Sequence, residues 1–147
     1  MKLKNILILA VCFIIAIICL GYVGIRSFTK NIYNSQNCEW ANIDNIEMRS
    51  MVDVPKIESS ECNYDTLSKT KKVLFVVDKE LNTEDYIAKN KLQKLVSPES
   101  LSSFNLKPEE ITPETFYIRE KTTEWESYKI VLDSKSRKLW IELKYLD

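Results

Sequence analysis

The chain has 147 residues with 21 basic and 21 acidic side chains, no histidine and two glycines. Without histidine there is no Ser-His or Cys-His nucleophile pair and no histidine-ligated zinc. Both glycines (Gly21 and Gly24) precede residue 31, so the remainder lacks a phosphate-cradling loop and a G-x-S-x-G elbow.

Residues 6–25, ILILAVCFIIAIICLGYVGI, contain no charge. Twenty helical residues span roughly 30 Å, the hydrocarbon thickness of a bilayer. A cleaved signal has a shorter apolar run, about 7–15 residues, ending in small side chains. Here Gly21-Tyr22-Val23-Gly24-Ile25-Arg26-Ser27 offers no clean A-x-A site. A lipoprotein cysteine follows a small residue, whereas Cys12 follows Val11 and Cys19 follows Ile18. The expectation is a retained transmembrane signal-anchor, with residues 1–5 as a cytoplasmic tail and Cys12 and Cys19 as lipid-facing apolar side chains. The G-x-x-G spacing of Gly21 and Gly24 makes no case for helix dimerisation.

Orientation sets Lys2, Lys4 and the terminal amine against Arg26 and Lys30, a slight tilt toward a cytoplasmic N-terminus. Cys38 and Cys62 strengthen it. They are the only cysteines beyond the apolar run, and an even pair fits a disulfide in an oxidising compartment. They also leave too few thiolates for an all-cysteine zinc site. The chain is expected in the cytoplasmic (inner) membrane as a single-pass protein, its C-terminal domain on the periplasmic or outer side. Lysine outnumbers arginine 17 to 4, compatible with an AT-rich bacterial genome.

The polar stretch 26–37 reads as a juxtamembrane stalk and 38–147 as the extracytoplasmic domain. Residues 1–30 hold four cations and no acid, leaving 17 basic and 21 acidic groups in 31–147, a net of −4. That balance argues against nucleic acid. Within 38–62, Trp40, Ile43, Ile46, Met48, Met51 and Val52 fit a helix only loosely, and Pro55 ends whatever element is there. The basic group Lys69, Lys71, Lys72 reads as the solvated edge of the strand that follows. That strand is the apolar run 73–77, closed by Asp78.

Thr83 is the expected N-cap of an amphipathic helix over 84–96. Glu84 and Asp85 lie in its first turn, and Ala88, Leu92, Leu95 and Val96 on one face. Proline at 98, 108 and 113 marks turns, the first opening a short helix that carries Leu101 and Phe104. A strand is expected over 116–119 and another over 125–132, with Tyr128, Ile130 and Leu132 on one face. The polar turn 133–137 leads to strand 138–145, where Leu139, Ile141, Leu143 and Tyr145 alternate with Lys138, Trp140, Glu142 and Lys144. The fold class is therefore α+β: an N-terminal transmembrane helix and a small domain whose antiparallel sheet, with a C-terminal β-meander, packs on one main helix.

Catalysis by carboxylates alone would draw on Glu109, Glu110 and Glu114, or on Glu124 and Glu126. Sequence neighbours on turns rarely face each other across a substrate, so these read as surface groups. No D-x-[DN]-x-[DN]-G calcium loop occurs, and neither a metal nor a small-molecule cofactor is expected. Trp140 falls on the polar face of its strand, where an exposed indole is a candidate protein-binding anchor. Trp125 lies on the face opposite Tyr128 and could join it in a two-tryptophan patch; a covering loop over Trp140 is the plainer alternative. The expected function is non-enzymatic: a membrane-anchored envelope protein whose outer domain binds a protein, for instance as an inhibitor or immunity-type protein. The alternatives are a structural or assembly factor of a membrane complex and, last, a carboxylate-based hydrolase.

Overall fold

The computed structural model describes residues 3–39, 42–104 and 106–146. Met1, Lys2 and Trp40 lie outside the described residues. A long helix α1 (Leu3–Asn34) leads through a short helix α2 (Asn42–Ser50) into a six-stranded antiparallel sheet. The strands are β1 (Ile57–Asp65), β2 (Thr70–Val77), β3 (Gln93–Lys94), β4 (Phe116–Thr122), β5 (Glu126–Asp133) and β6 (Lys138–Tyr145), in the order β1-β2-β6-β5-β4-β3. Helix α3 (Thr83–Asn90) and the 3-10 helices Pro98–Phe104 and Pro108–Glu110 complete the fold. The α+β class and the β4–β5–β6 meander match the expectation.

Helix α1 is long and apolar enough to cross a membrane, and among the described residues its most apolar stretch is not buried against the rest of the chain. It continues unbroken to Asn34, so most of the stretch read as a stalk is helix.

The inner face of the sheet is the strict alternation of β2, β5 and β6: Val73, Phe75, Ile130, Leu132, Leu139, Ile141 and Leu143 are all buried against Ile46 of α2 and Tyr86 of α3. Each such side chain withdrawn from water contributes about 1.5–3 kcal/mol, so these alternating positions fix the register. The sheet thus packs on two helices rather than one, because residues 42–50 are helical where the sequence pattern was loose.

Helix α3 is shorter than the expected 84–96, and its cap is Asn82 rather than Thr83: Asn82 Oδ1 accepts from the amide of Asp85 at 3.3 Å. It stops because Lys91 takes a left-handed conformation (φ 55°), with the Leu92 amide donating to Ile87 O at 3.0 Å. The turn sends Leu92 to the inner core and Leu95 to a second apolar cluster on the outer face. With no glycine past residue 24, the left-handed positions among the described residues (Met51, Lys69, Lys91 and Arg137) all carry side chains. Strand β1 had no expectation at all: as an edge strand it has only Ile57, Cys62 and Tyr64 partly buried and holds no continuous apolar face.

Candidate functional site

The outer face of the sheet is graded in rows by the register. Ile118, Val131, Trp140 and Leu74 form one cross-strand row. Together with Phe116 they are roofed by Leu95, Leu101 and Phe104, the last two from the first 3-10 helix. The next row is Glu120, Lys129, Glu142 and Lys72, alternating in sign across four strands. Lys129 Nζ stands 3.8 Å from Glu120, and Lys72 Nζ 3.4 Å from Glu142. These two lysines also seal the roof edge, Lys129 donating to Ser100 O at 2.9 Å and Lys72 to Ser103 O. The third row is Thr122, Ser127, Lys144 and Thr70, small or exposed groups with no roof over them. Cross-strand pairs of opposite charge contribute roughly 0.2–1 kcal/mol each, so the row does little for stability and leaves a patterned polar surface. A cleft of about 380 Å³ runs along the roof edge, lined by Glu61, Asn63, Lys72, Phe104 and Trp140. A second hollow of about 490 Å³ lies over Glu120, Thr122, Ser127 and Lys129.

On the opposite face, at the same end of the sheet, a polar cluster receives the end of α1. The last carbonyls of a helix lack intrahelical donors. Asn45 Nδ2 donates to Ile32 O and Tyr33 O, both at 3.0 Å, Arg49 Nε to Tyr33 O at 2.8 Å, and Lys71 Nζ to Ser35 O at 3.4 Å. Both cations also suit the negative end of the helix dipole. Arg49 lies over the rings of Tyr33 (4.0 Å) and Tyr145 (4.6 Å) and ion-pairs with Glu126. Asn45 Oδ1 accepts from Lys71 Nζ at 2.9 Å and Tyr145 Oη at 3.2 Å, so all four of its hydrogen-bonding positions are used.

Lys71, expected on a solvated edge, is therefore 0% exposed. It belongs to the inward-facing set of β2, and its ammonium finds polar partners only because α1 ends there. Burial, aided by the neighbouring Arg49 charge, lowers its pKa from 10.5 to about 8. Burial also raises the phenols of Tyr145 and Tyr86 well above their ordinary value. Nothing in the local sequence marks Asn45 or Arg49 as members of this cluster; only the tertiary meeting of α1, α2 and the sheet assembles it.

Cys38 and Cys62 are disulfide-bonded, with Cα atoms 5.7 Å apart, tying the segment after α1 to β1. Trp140 is 8% exposed, stacked on Phe116 with ring centroids 6.0 Å apart, so it is a core side chain with one edge on the cleft. Trp125 is 67% exposed in the β4–β5 turn. Trp140 pairs with Val131 and Tyr145 with Glu126, which separates the two tryptophans by five rungs of the ladder, and no joint patch forms. Glu109, Glu110, Glu114 and Glu124 are exposed. Glu110 accepts from the Lys107 amide at 3.1 Å, and Glu126 is held by Arg49. Among the described residues no group of three or more potential metal ligands converges.

Comparison with protein-family models, with curated proteins and with solved structures yields no match for this chain.

Proposed function

We propose that the chain is a single-pass envelope protein, anchored by α1, whose extracytoplasmic domain holds a protein partner on the open half of its outer sheet face. The observation that carries this reading is the alternating row Glu120–Lys129–Glu142–Lys72 beside an unroofed row of small and polar residues. A row of fixed alternating charge adds little to folding but favours a partner of complementary pattern and rejects others. The Cys38–Cys62 disulfide and the apolar α1 support the location, and the dispersal of the carboxylates supports binding over catalysis. An inhibitor or immunity-type role is the concrete form of this reading.

Photo-crosslinking in cells tests it. A crosslinker at Lys144 in the full chain should capture a defined protein that one at Lys135 does not. Loss of that capture in Glu142→Lys supports the reading. Equal background at both positions contradicts it.

One observation favours the second reading, an assembly factor whose anchor is itself an interface: α1 is joined to the domain through its last carbonyls rather than a slack linker. Exchanging residues 6–25 for an unrelated apolar helix separates the two. Partner capture survives under the first and is lost under the second.

A further inference from the structure

Three exposed apolar side chains come from three separate segments at one end of the sheet: Leu67 (96% exposed) in the β1–β2 turn, Trp125 (67%) in the β4–β5 turn and Leu146 (41%) after β6. Their backbones are adjacent. The Tyr145 amide donates to Lys69 O at 3.0 Å, and the Leu146 amide to Trp125 O at 2.8 Å. The opposite end of the sheet, about 23 Å away for a seven-residue strand, is more polar: Lys79, Glu80, Lys135 and Ser136 are exposed there, with Val96 (96% exposed) beside the start of β4 as an isolated apolar side chain.

The apolar end is also the end that receives α1. Glu126, next to Trp125, is paired with the Arg49 that holds Tyr33 O. Tyr145, next to Leu146, bonds the Asn45 that holds Ile32 O and Tyr33 O. Two of the three apolar residues are therefore one residue from a side chain locked to the helix end. Helix α1 runs nine residues past Ile25, about 14 Å, so this end stands within three turns of the hydrocarbon boundary.

We infer that the sheet end bearing Leu67, Trp125 and Leu146 rests in the headgroup layer of the bilayer that α1 crosses. The inference rests on the reading of α1 as a transmembrane anchor. Indole prefers the membrane interface, where its apolar body and N–H are both accommodated. Exposed Lys121 at the same end matches lipid phosphates. Trp125 is then a lipid anchor rather than a protein-binding one. It fixes the sheet end toward the membrane and turns the open polar face sideways along the surface, toward partners that lie near the bilayer.

The test uses the full chain in vesicles of phosphatidylcholine and phosphatidylglycerol. The emission of Trp125 is taken as the difference between the unmodified chain and Trp125→Phe. The inference expects that difference emission to be blue-shifted, quenched by lipids brominated on their acyl chains and protected from aqueous iodide. Leu67→Trp in the Trp125→Phe background should report the same from a second exposed position. Emission at the water wavelength, open to iodide and insensitive to bromolipid, overturns the inference. Protection from iodide without bromolipid quenching also overturns it, and assigns the patch to a protein contact. Flotation with the vesicles after an alkaline wash is read in parallel. Loss of flotation overturns the anchor reading and the inference with it; flotation with a water-exposed Trp125 overturns the inference alone.

Discussion

The ammonium of Lys71 stands 2.9 Å from Oδ1 of Asn45, and neither side chain reaches solvent. A buried lysine facing a neutral amide, with an arginine nearby, is an arrangement in which the cation is not charge-compensated within its own contacts. What it has instead is the end of α1, whose carbonyls Asn45 collects with its two amide hydrogens. Asn45→Asp discriminates between these roles. A carboxylate would suit Lys71 and the Tyr145 hydroxyl but cannot donate to Ile32 O and Tyr33 O. The expected result is destabilisation by about 1–3 kcal/mol, the usual cost of stranding buried acceptors, in denaturant unfolding of the full chain in detergent. Stabilisation would mean that Lys71, not the helix end, is the principal client of residue 45.

Lys71 also sets a pH signature. Its folded pKa of about 8 lies below the unfolded 10.5, so the unfolded state binds more protons between those values. Its contribution is therefore unfavourable below about pH 8 and is relieved as pH rises toward 10.5. Tyr86 and Tyr145, whose folded pKa values are raised, act oppositely above about pH 10, where unfolded phenols ionise. Unfolding free energy should rise between about pH 8 and 10, and Lys71→Met should abolish that rise.

The two tryptophans should differ sharply. Trp140→Ala empties the roofed cluster and should cost about 3–5 kcal/mol, with loss of the near-ultraviolet signal of its stack on Phe116. Trp125→Ala touches no core and should stay within about 0.5 kcal/mol in detergent. Thermal or denaturant unfolding of both variants checks the contrast.

Reduction of Cys38–Cys62, 24 residues apart, should lower stability by about 3 kcal/mol on the chain-entropy estimate. Cys38→Ser with Cys62→Ser should reproduce that loss without reductant. Unfolding curves with and without dithiothreitol suffice.

The elements legible in the sequence are those whose burial is written in one local period. β6 alternates strictly from Lys138 to Tyr145, β2 announces itself at 73–77, and the Cys38–Cys62 pairing follows from two cysteines outside an apolar run. β1 was invisible because an edge strand needs no apolar face. Helix α3 looked too long because Leu92 and Leu95 keep helical spacing while serving opposite faces of the sheet, a split made by the left-handed Lys91. Lys71 looked solvated because its partners lie 26 and 36 residues upstream. The charged row on the outer face was equally hidden: Glu120, Lys129, Glu142 and Lys72 become neighbours only through strand register.

On the proposed function, α1 and the domain form one rigid unit that presents the outer face at a fixed attitude to the membrane. Electron–electron spin distances measure this directly, with labels on cysteines introduced at Lys30 of α1 and Lys135 of the β5–β6 turn, and with Cys12 and Cys19 replaced by alanine. One narrow distance is expected in vesicles, broadening when Arg49→Ala removes the bridge from Tyr33 O to Glu126. A broad distribution in the chain with Arg49 intact would contradict it.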